Sequence, residues 1–476
     1  MPHHPYDHIP ELAGVASYAE AARIGYSVDE NVRRLLRFHW VERRLMSILV
    51  AHLAAEPVWE VKCALALHQW QSAQHVDALR TRVSEMRNPV PRLDVSPEGD
   101  ATAPALDGFL EELLRSRDTV ELIAGVYGVA YRAIAEAYRR HIAETNPLVD
   151  QPTRRVLRIA LMETEEAIAW GERALPAAID GASDPAAARH EADEWQLHLR
   201  AFLAAAQGVA GDEPPATRHP PAVGGHPPAP RASQPFIPEL HPRRDARFQG
   251  RYNFEFPPHV VYNMADVPAD ERNLALLCKR TLEMDVPEMM ASFMTERRSE
   301  PWDFYRDYSR QLWDEARHAM MGSVAFEARG VDWKREIPLN VSFALRLNLH
   351  ASPIERQMML YAIEQSLMPG ETGKRYERET AAQSGDALSA HFHDYDWADE
   401  VLHAQIGRRM LKREGISADE ARLLAREIHE KTWAALARYA HLDAQNDWWP
   451  AFVQRILGRP SAVAEADRPE LNIFSE

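Results

Sequence analysis

The segment Trp70-Gln-Ser-Ala-Gln-His75 returns later in the chain as Trp313-Asp-Glu-Ala-Arg-His318. His75 and His318 lie 18 and 17 residues after Pro57 and Pro301, and a tryptophan, Trp59 or Trp302, stands just behind each proline. Further on, Glu163-Thr-Glu-Glu166 aligns with Glu400-Val-Leu-His403, with Gly171 and Gly407 five and four residues beyond. The offset stays near 240 residues. A period that long is a duplicated domain rather than a solenoid repeat, and 476 residues leave room for two or three full cores.

Between these landmarks the pattern is helical. Over 31–56 apolar residues recur at three- and four-residue steps, as Leu35, Leu36, Trp40, Leu45, Ile48 and Leu49. Similar runs fill 58–87, 105–144 and 153–174, separated by Pro57, Asn88-Pro89 with Pro91 and Pro97, and Asn146-Pro147 with Pro152. Four long helices with proline-marked turns predict an antiparallel bundle. The rhythm resumes over 271–297, 302–328, 353–367 and 387–413, with a further helical pair inside 417–457. Strand-like alternation is confined to short stretches such as 260–262. From Pro214 to Pro242 ten prolines fall in 29 residues, a density that removes amide donors and blocks helix, so an extended or disordered linker is expected there. Its histidines, His219, His226 and His241, read as polar filler. The expected organisation is all-α: an N-terminal tail (1–26), a four-helix bundle (27–207), a proline-rich linker (208–250), a second four-helix bundle (251–460) and a C-terminal tail (461–476).

Charge narrows the partners. Fifty-five Lys and Arg against 71 Asp and Glu give a net charge of −16, which repels phosphate backbones and anionic lipid headgroups, so neither nucleic acid nor a membrane surface is expected as a partner. No apolar run approaches the ~20 residues of a membrane-spanning helix; the nearest, over 45–55, is interrupted by His52. The opening residues have neither a basic nor an apolar signal region. Cys63 and Cys278 are too few for a disulfide framework or a thiolate zinc site. A cytoplasmic protein is the expectation. Phosphate-binding loops, nucleophile elbows and His-Glu-x-x-His pairs are absent from the sequence.

The residues that carry chemistry lie in the second half. Glu315 and His318 stand three apart on one expected helix, Glu400 and His403 three apart on another, so each pair shares a helix face. The helices that precede them each hold a glutamate in an apolar setting. Glu283 follows Leu274, Leu276, Leu277 and Leu282, and Glu364 ends the run Met358-Met-Leu-Tyr-Ala-Ile. A buried carboxylate is costly unless paired or metal-bound. Four carboxylates and two imidazoles meeting in one core suit two divalent cations about 3.5–4 Å apart. Without thiolates the preference is iron or manganese.

The order Glu283, Glu315-x-x-His318, Glu364, Glu400-x-x-His403, with glutamates separated by 32, 49 and 36 residues, resembles the ferritin-like dimetal-carboxylate superfamily over about 274–410. The resemblance implies a ferritin-like bundle holding two iron ions, with Mn/Fe or Mn/Mn as alternatives, and dioxygen as co-substrate. It further implies a small organic substrate and an external electron donor. Of the flanking residues, Asp314 and Asp399 are expected in outward salt bridges, Asp396 as a further oxygen ligand or hydrogen-bond acceptor, and Tyr361 as a core tyrosine or an electron relay. Glu288, Glu355 and His393 are the rivals in a different helix register.

The first half offers Glu42, His75, Glu163 and Glu166, with Glu121 as a third-helix member. It departs from the superfamily pattern at Ser72, where a glutamate belongs, and at Glu166, where a histidine belongs. A degenerate, structural bundle is expected, although His39 and His68 keep a mononuclear site open. The leading expectation is a diiron oxidase or oxygenase. The alternatives are an iron-binding ferroxidase or storage protein and a non-catalytic helical scaffold. Two like bundles are compatible with either a homodimer or an internal pseudo-dimer.

Overall fold

The computed structural model describes residues 5–97, 99–213, 228–252, 257–370, 372–439, 441–442 and 448–463. Among them all regular structure is helical, with no strand, and no helix is long and apolar enough to cross a membrane. The strand-like stretch 260–262 falls largely in a short helix, Pro258–Val261, with Pro258 in its first turn, where the missing amide proton costs nothing. Two compact units emerge: Met1–Ile48 with Gln71–Ile237, and Leu49–Trp70 with Pro238–Glu476.

In the first unit, α1 (Val28–Leu53) and α2 (Trp59–Met86) are followed by α3 (Ala103–Leu114), α4 (Thr119–Gly125), a π-helical stretch (Val126–Ala130), α5 (Tyr131–Glu144), α6 (Gln151–Asp180) and α7 (Pro185–Ala205). The helix expected over 105–144 is therefore broken. Ser116 Oγ donates to the Leu113 carbonyl, and Asp118 caps α4 by accepting from the Glu121 amide at 2.9 Å; such local side-chain bonds compete with helix continuation. Helix α7 lies beyond the four helices expected in this half. Asp184 caps it through the amides of Ala186 and Ala187, and Pro185 sits in its first turn.

The second unit contains α8 (Ala269–Leu282), α9 (Asp285–Glu296), α10 (Trp302–Glu327), α11 (Ser342–His350), α12 (Pro353–Ser366), α13 (Lys374–Gln383), α14 (Ala387–Glu414), α15 (Ala418–Ala435) and α16 (Trp449–Leu457). Helix α9 packs on α10 and α12, and α14 packs on the same two, so these four helices close a ring; α8 adds to it through α10, and α13 lies across α8 and α14. Helices α8 and α10 approach backbone to backbone at Gly322. A Cβ on Gly322 would lie 2.6 Å from the Thr281 amide nitrogen and 3.0 Å from its Cα.

The tip between α1 and α2, residues 49–70, belongs to the second unit, unlike the expected boundary that kept it within 27–207. Its polar groups are satisfied there. Lys62 is fully buried, donates to the carbonyls of Ala54 and Arg243 at 3.2 Å each, and pairs with Glu288. The Trp59 ring meets Trp333 and Phe248 at 4.9 and 5.8 Å, Gln69 donates to the Ser309 carbonyl, and Trp70 stacks on Trp313, its counterpart in the repeat.

Of the expected linker, residues 214–227 lie outside the described residues, His219 and His226 with them. The remainder is non-helical, as the prolines require, but anchored. Arg231 forms a bidentate pair with Glu121 and covers the Trp195 ring, the Arg243 and Asp245 amides donate to the carbonyls of Ala54 and Pro57, and Arg244 is buried against Glu288. Of the C-terminal tail, 464–476 lies outside the described residues, while Ser461 and Ala462 bond Glu271.

Candidate metal centre

Glu283 occupies the junction between α8 and α9, within the single helix expected over 271–297. Pro287 accounts for the break: it has no amide proton for the Glu283 carbonyl four residues back, and its ring crowds that oxygen. The carbonyl instead accepts from the Val286 amide at 3.0 Å. Glu315 and His318 come from α10, Glu364 from α12, and Glu400 and His403 from α14. All six side chains meet inside the second unit. One donor atom each from Glu315, Glu364, Glu400 and His403 lies within 4.8 Å of the others, and the same holds for Glu283, Glu315 and His318 and for His318, Asp396 and Glu400.

The two histidines face the carboxylates through Nδ1. His403 Nδ1 is 3.1 Å from Glu315 Oε1, 3.2 Å from Glu400 Oε2 and 3.9 Å from Glu364 Oε2. His318 Nδ1 is 3.3 Å from Asp396 Oδ1, 3.7 Å from Glu315 Oε2, 3.8 Å from Glu283 Oε2 and 4.0 Å from Glu400 Oε1. Glu315 and Glu400 thus each turn one oxygen toward His318 and the other toward His403. The outer nitrogens go to aspartates: His318 Nε2 bonds Asp399 at 3.1 Å and His403 Nε2 bonds Asp314 at 3.3 Å. Arg317 ties the two aspartates together at 2.6 and 2.7 Å. With Nε2–H donated outward, a neutral imidazole presents its Nδ1 lone pair to the cluster.

Asp314 and Asp399 therefore differ from expectation. They do pair with Arg310 and Arg317, but Asp314 is fully buried and both orient a histidine. Asp396 lies at the cluster, gripped by both Nη atoms of Arg280 at 2.7 and 2.6 Å and by Lys374 at 3.0 Å. Tyr361 is buried with its ring against Gly407, where a Cβ would come within 2.8 Å of Cδ2. In the first unit the aligned Gly171 makes the same allowance for Tyr127, so the repeated glycines mark a repeated tyrosine contact. The rival residues are engaged in other ways. Glu288 pairs with Lys62 and Arg244, Glu355 caps its own helix through Ser352 and bonds Lys431, and His393 accepts from Arg280 in a group with Glu377 and Asp396.

The electrostatics are those of a site short of positive charge. Burial by itself lowers an imidazole, yet His318 is pushed up to about 10 by the Asp396 charge first, then by the hydrogen bond to Asp399 and the nearby Glu315 carboxylate. His403 is likewise raised, against burial, by Asp314, Glu315 and Glu400. Burial and the adjacent Glu400 charge raise Glu364 well above the ordinary carboxyl range. Its Oε1 accepts from Gln311 at 2.9 Å, while Glu364 Oε2 and His318 Nδ1 are buried without a hydrogen bond. Buried polar atoms left in this way call for a partner, and carboxylate oxygens with neutral imidazole nitrogens form a donor set suited to iron or manganese.

Sequence reasoning missed Lys374, Arg280 and Gln311. Arg280 and Gln311 stand one helical turn before Glu283 and Glu315, a spacing that puts them on the same faces. Lys374 opens a charged helix with no apolar periodicity, and nothing in the sequence marks it.

The first unit presents a different centre. His75 lies between Glu42 and Glu163, with Nδ1 at 3.0 Å and Nε2 at 2.8 Å, and the Tyr138 hydroxyl donates to Glu42 at 2.8 Å. Ser72 bonds Tyr131. Glu166 is exposed, and Glu121 is held by Arg231. His39 is buried 3.4 Å from Arg80 and lowered to about 3, by burial first and then by the Arg80 charge. Both His75 nitrogens are thus committed to carboxylates, and among the described residues no metal-ligating group gathers in this unit.

Burial disfavours the His75 imidazolium, but the Glu42 charge and hydrogen bonds to Glu163 and Glu42 outweigh it and push the group up to about 9. Because this lies above the unfolded value of roughly 6.5, its contribution to stability is complete below pH ~6.5 and is lost as pH rises through about 9. The difference in unfolding free energy between wild type and His75→Gln is expected to shrink across that window in urea titrations. A difference that stays constant or grows with pH would exclude the imidazolium bridge.

Comparison with protein-family models, with curated proteins and with solved structures finds no match to this chain.

Proposed function

We propose that the chain is a non-haem dinuclear-metal oxidoreductase whose second unit is a ferritin-like four-helix bundle and whose first unit is a degenerate copy joined to it by the proline-rich stretch. The observation that carries this reading is the sharing of Glu315 and Glu400. Each offers one oxygen to the His318 side and one to the His403 side, which is what carboxylates spanning two cations must do. Glu283 and His318 would complete one position, Glu364 and His403 the other. Asp314 and Asp399 fix the imidazole orientation, and Arg317 balances the charge of both aspartates. When bound, an iron pair supplies the electrons for reducing dioxygen, directed here to oxidising a small organic substrate and renewed by an external donor. The burial of Glu315, His318, Glu364, Glu400 and His403 keeps bulk water from these ligands.

Anaerobic reconstitution with ferrous iron is expected to give about two irons per chain, and admission of oxygen is expected to be followed by its consumption and an optical transient. A well-folded chain that takes up no iron under these conditions sinks the proposal. Uptake far beyond two irons would move the reading to storage.

A further inference from the structure

One cation already stands among the oxygens of this centre, and it is part of the chain. Lys374 Nζ is 2.9 Å from Glu400 Oε1, 3.0 Å from Asp396 Oδ1 and 3.7 Å from Glu283 Oε1, and the side chain is fully buried. A tight backbone approach delivers it: the Lys374 amide donates to the Leu367 carbonyl at 3.0 Å, and a Cβ on Gly373 would fall 2.1 Å from that same oxygen. On the same side Arg280 reaches Glu283 Oε2 at 2.5 Å while gripping Asp396. The two sides of the cluster are therefore unlike. Around His318, three of the nearby carboxylates, Glu283, Asp396 and Glu400, already face a lysine or arginine. Around His403, Glu315 and Glu364 carry no ion pair to a lysine or arginine among the described residues, and Glu400 turns its other oxygen inward.

Resting on the dinuclear reading above, we propose that Lys374 is a built-in cation that makes the two metal positions unequal. The His403 position takes the first divalent ion, and the His318 position fills only as Lys374 Nζ gives up Glu400 Oε1. An ammonium at contact distance from an oxygen competes for its lone pairs and repels a divalent ion placed beside it. The His403 side carries no such competitor, and Glu364 there faces His403 without a lysine or arginine beside it among the described residues.

Titration of the full-length chain with Mn2+, followed by calorimetry and by electron paramagnetic resonance, tests this. Two steps separated by at least ~10-fold in affinity are expected, the first giving an isolated-ion spectrum and the second a coupled pair. Glu364→Gln is expected to abolish the tight step and Glu283→Gln the weak one. Lys374→Met is expected to bring the two steps within ~3-fold of each other, and Lys374→Arg to keep them apart. Two equal steps in the wild type, or an unchanged gap in a Lys374→Met chain with native circular dichroism, overturns the role of Lys374 and leaves the metal centre standing. A wild-type chain that binds no Mn2+ overturns the metal centre itself. Should Lys374→Met fail to fold, the glutamate pair decides, because loss of the tight step in Glu283→Gln reverses the proposed order.

Discussion

Replacing Glu315 by alanine is expected to remove both metal ions at once, whereas Glu364→Ala removes one. Glu315 is the only α10 carboxylate with an oxygen toward each histidine, at 3.1 Å from His403 and 3.7 Å from His318. Losing it takes one donor from each position. Removing an outer partner of a metal ligand already costs 10–100-fold in affinity, so loss of a direct, shared ligand is expected to exceed ~100-fold at both positions. The metal-free fold should survive. Glu315 lies beside Glu400 in a buried setting, where the two charges oppose one another, and alanine relieves that repulsion at the cost of a small void. Thermal unfolding separates the two effects. Wild type is expected to melt higher with Fe2+ or Mn2+ than with chelator, since an ion that binds only the folded chain stabilises it, while Glu315→Ala should melt at the same temperature in both. A variant that retains the metal-dependent rise would show that Glu315 is not a ligand.

Gly322→Ala is expected to destabilise the second unit strongly for a single-methyl change. The added carbon would lie 2.3 Å from Thr281 Oγ1, 2.6 Å from the Thr281 amide nitrogen and 3.0 Å from its Cα. A hydroxyl can rotate away, but backbone can yield only if α8 and α10 separate. Overpacking of this kind costs about 1–3 kcal/mol, occasionally more, which for a unit of this size corresponds to a fall of several degrees in melting temperature. The damage should extend to the candidate metal centre, because Glu283 follows Thr281 by two residues and His318 precedes Gly322 by one helical turn. Spreading these helices draws Glu283 away from His318, so the variant is expected to weaken the His318 position more than the His403 position. Urea denaturation and Mn2+ titration together check this, and unchanged stability would mean that the helices do not approach as described.

The contrast between these sites and their surroundings shows what the chain's pattern can reveal. The Glu-x-x-His spacing puts two ligands on one helix face whatever the rest of the fold, and glutamates set in apolar runs announce burial; all six side chains meet for these reasons. Asp396 stands one turn before Glu400 on the ligand face, whereas Asp314 and Asp399 adjoin Glu315 and Glu400 in the chain and each orients the histidine of the other helix. Helix α13 covers α8 and α14, and its sequence Lys374-Arg-Tyr-Glu-Arg-Glu-Thr-Ala-Ala-Gln383 is too polar to reveal a buried role by periodicity. Lys374 and Glu377 are both buried, each satisfied by opposite charge rather than by apolar packing, and charge pairing leaves no period to read. The break at Glu283 was legible in principle, since Pro287 forbids the bond that a continuous helix requires. The break before α4 rests on weaker local bonds from Ser116 and Asp118, which sequence alone does not rank against helix propensity.

The residence of 49–70 in the second unit sets the terms on which that unit can be made. A gene fragment beginning at codon 238 would encode every expected ligand and still leave Glu288 and Arg244 without the Lys62 ammonium, and Trp333 and Phe248 without the Trp59 ring. Such a fragment is expected to aggregate. During translation the tip emerges long before its partners, so its tryptophans and buried lysine must wait, unsatisfied, on the nascent chain. Completion of the second unit is thereby coupled to the ribosome having already produced the first.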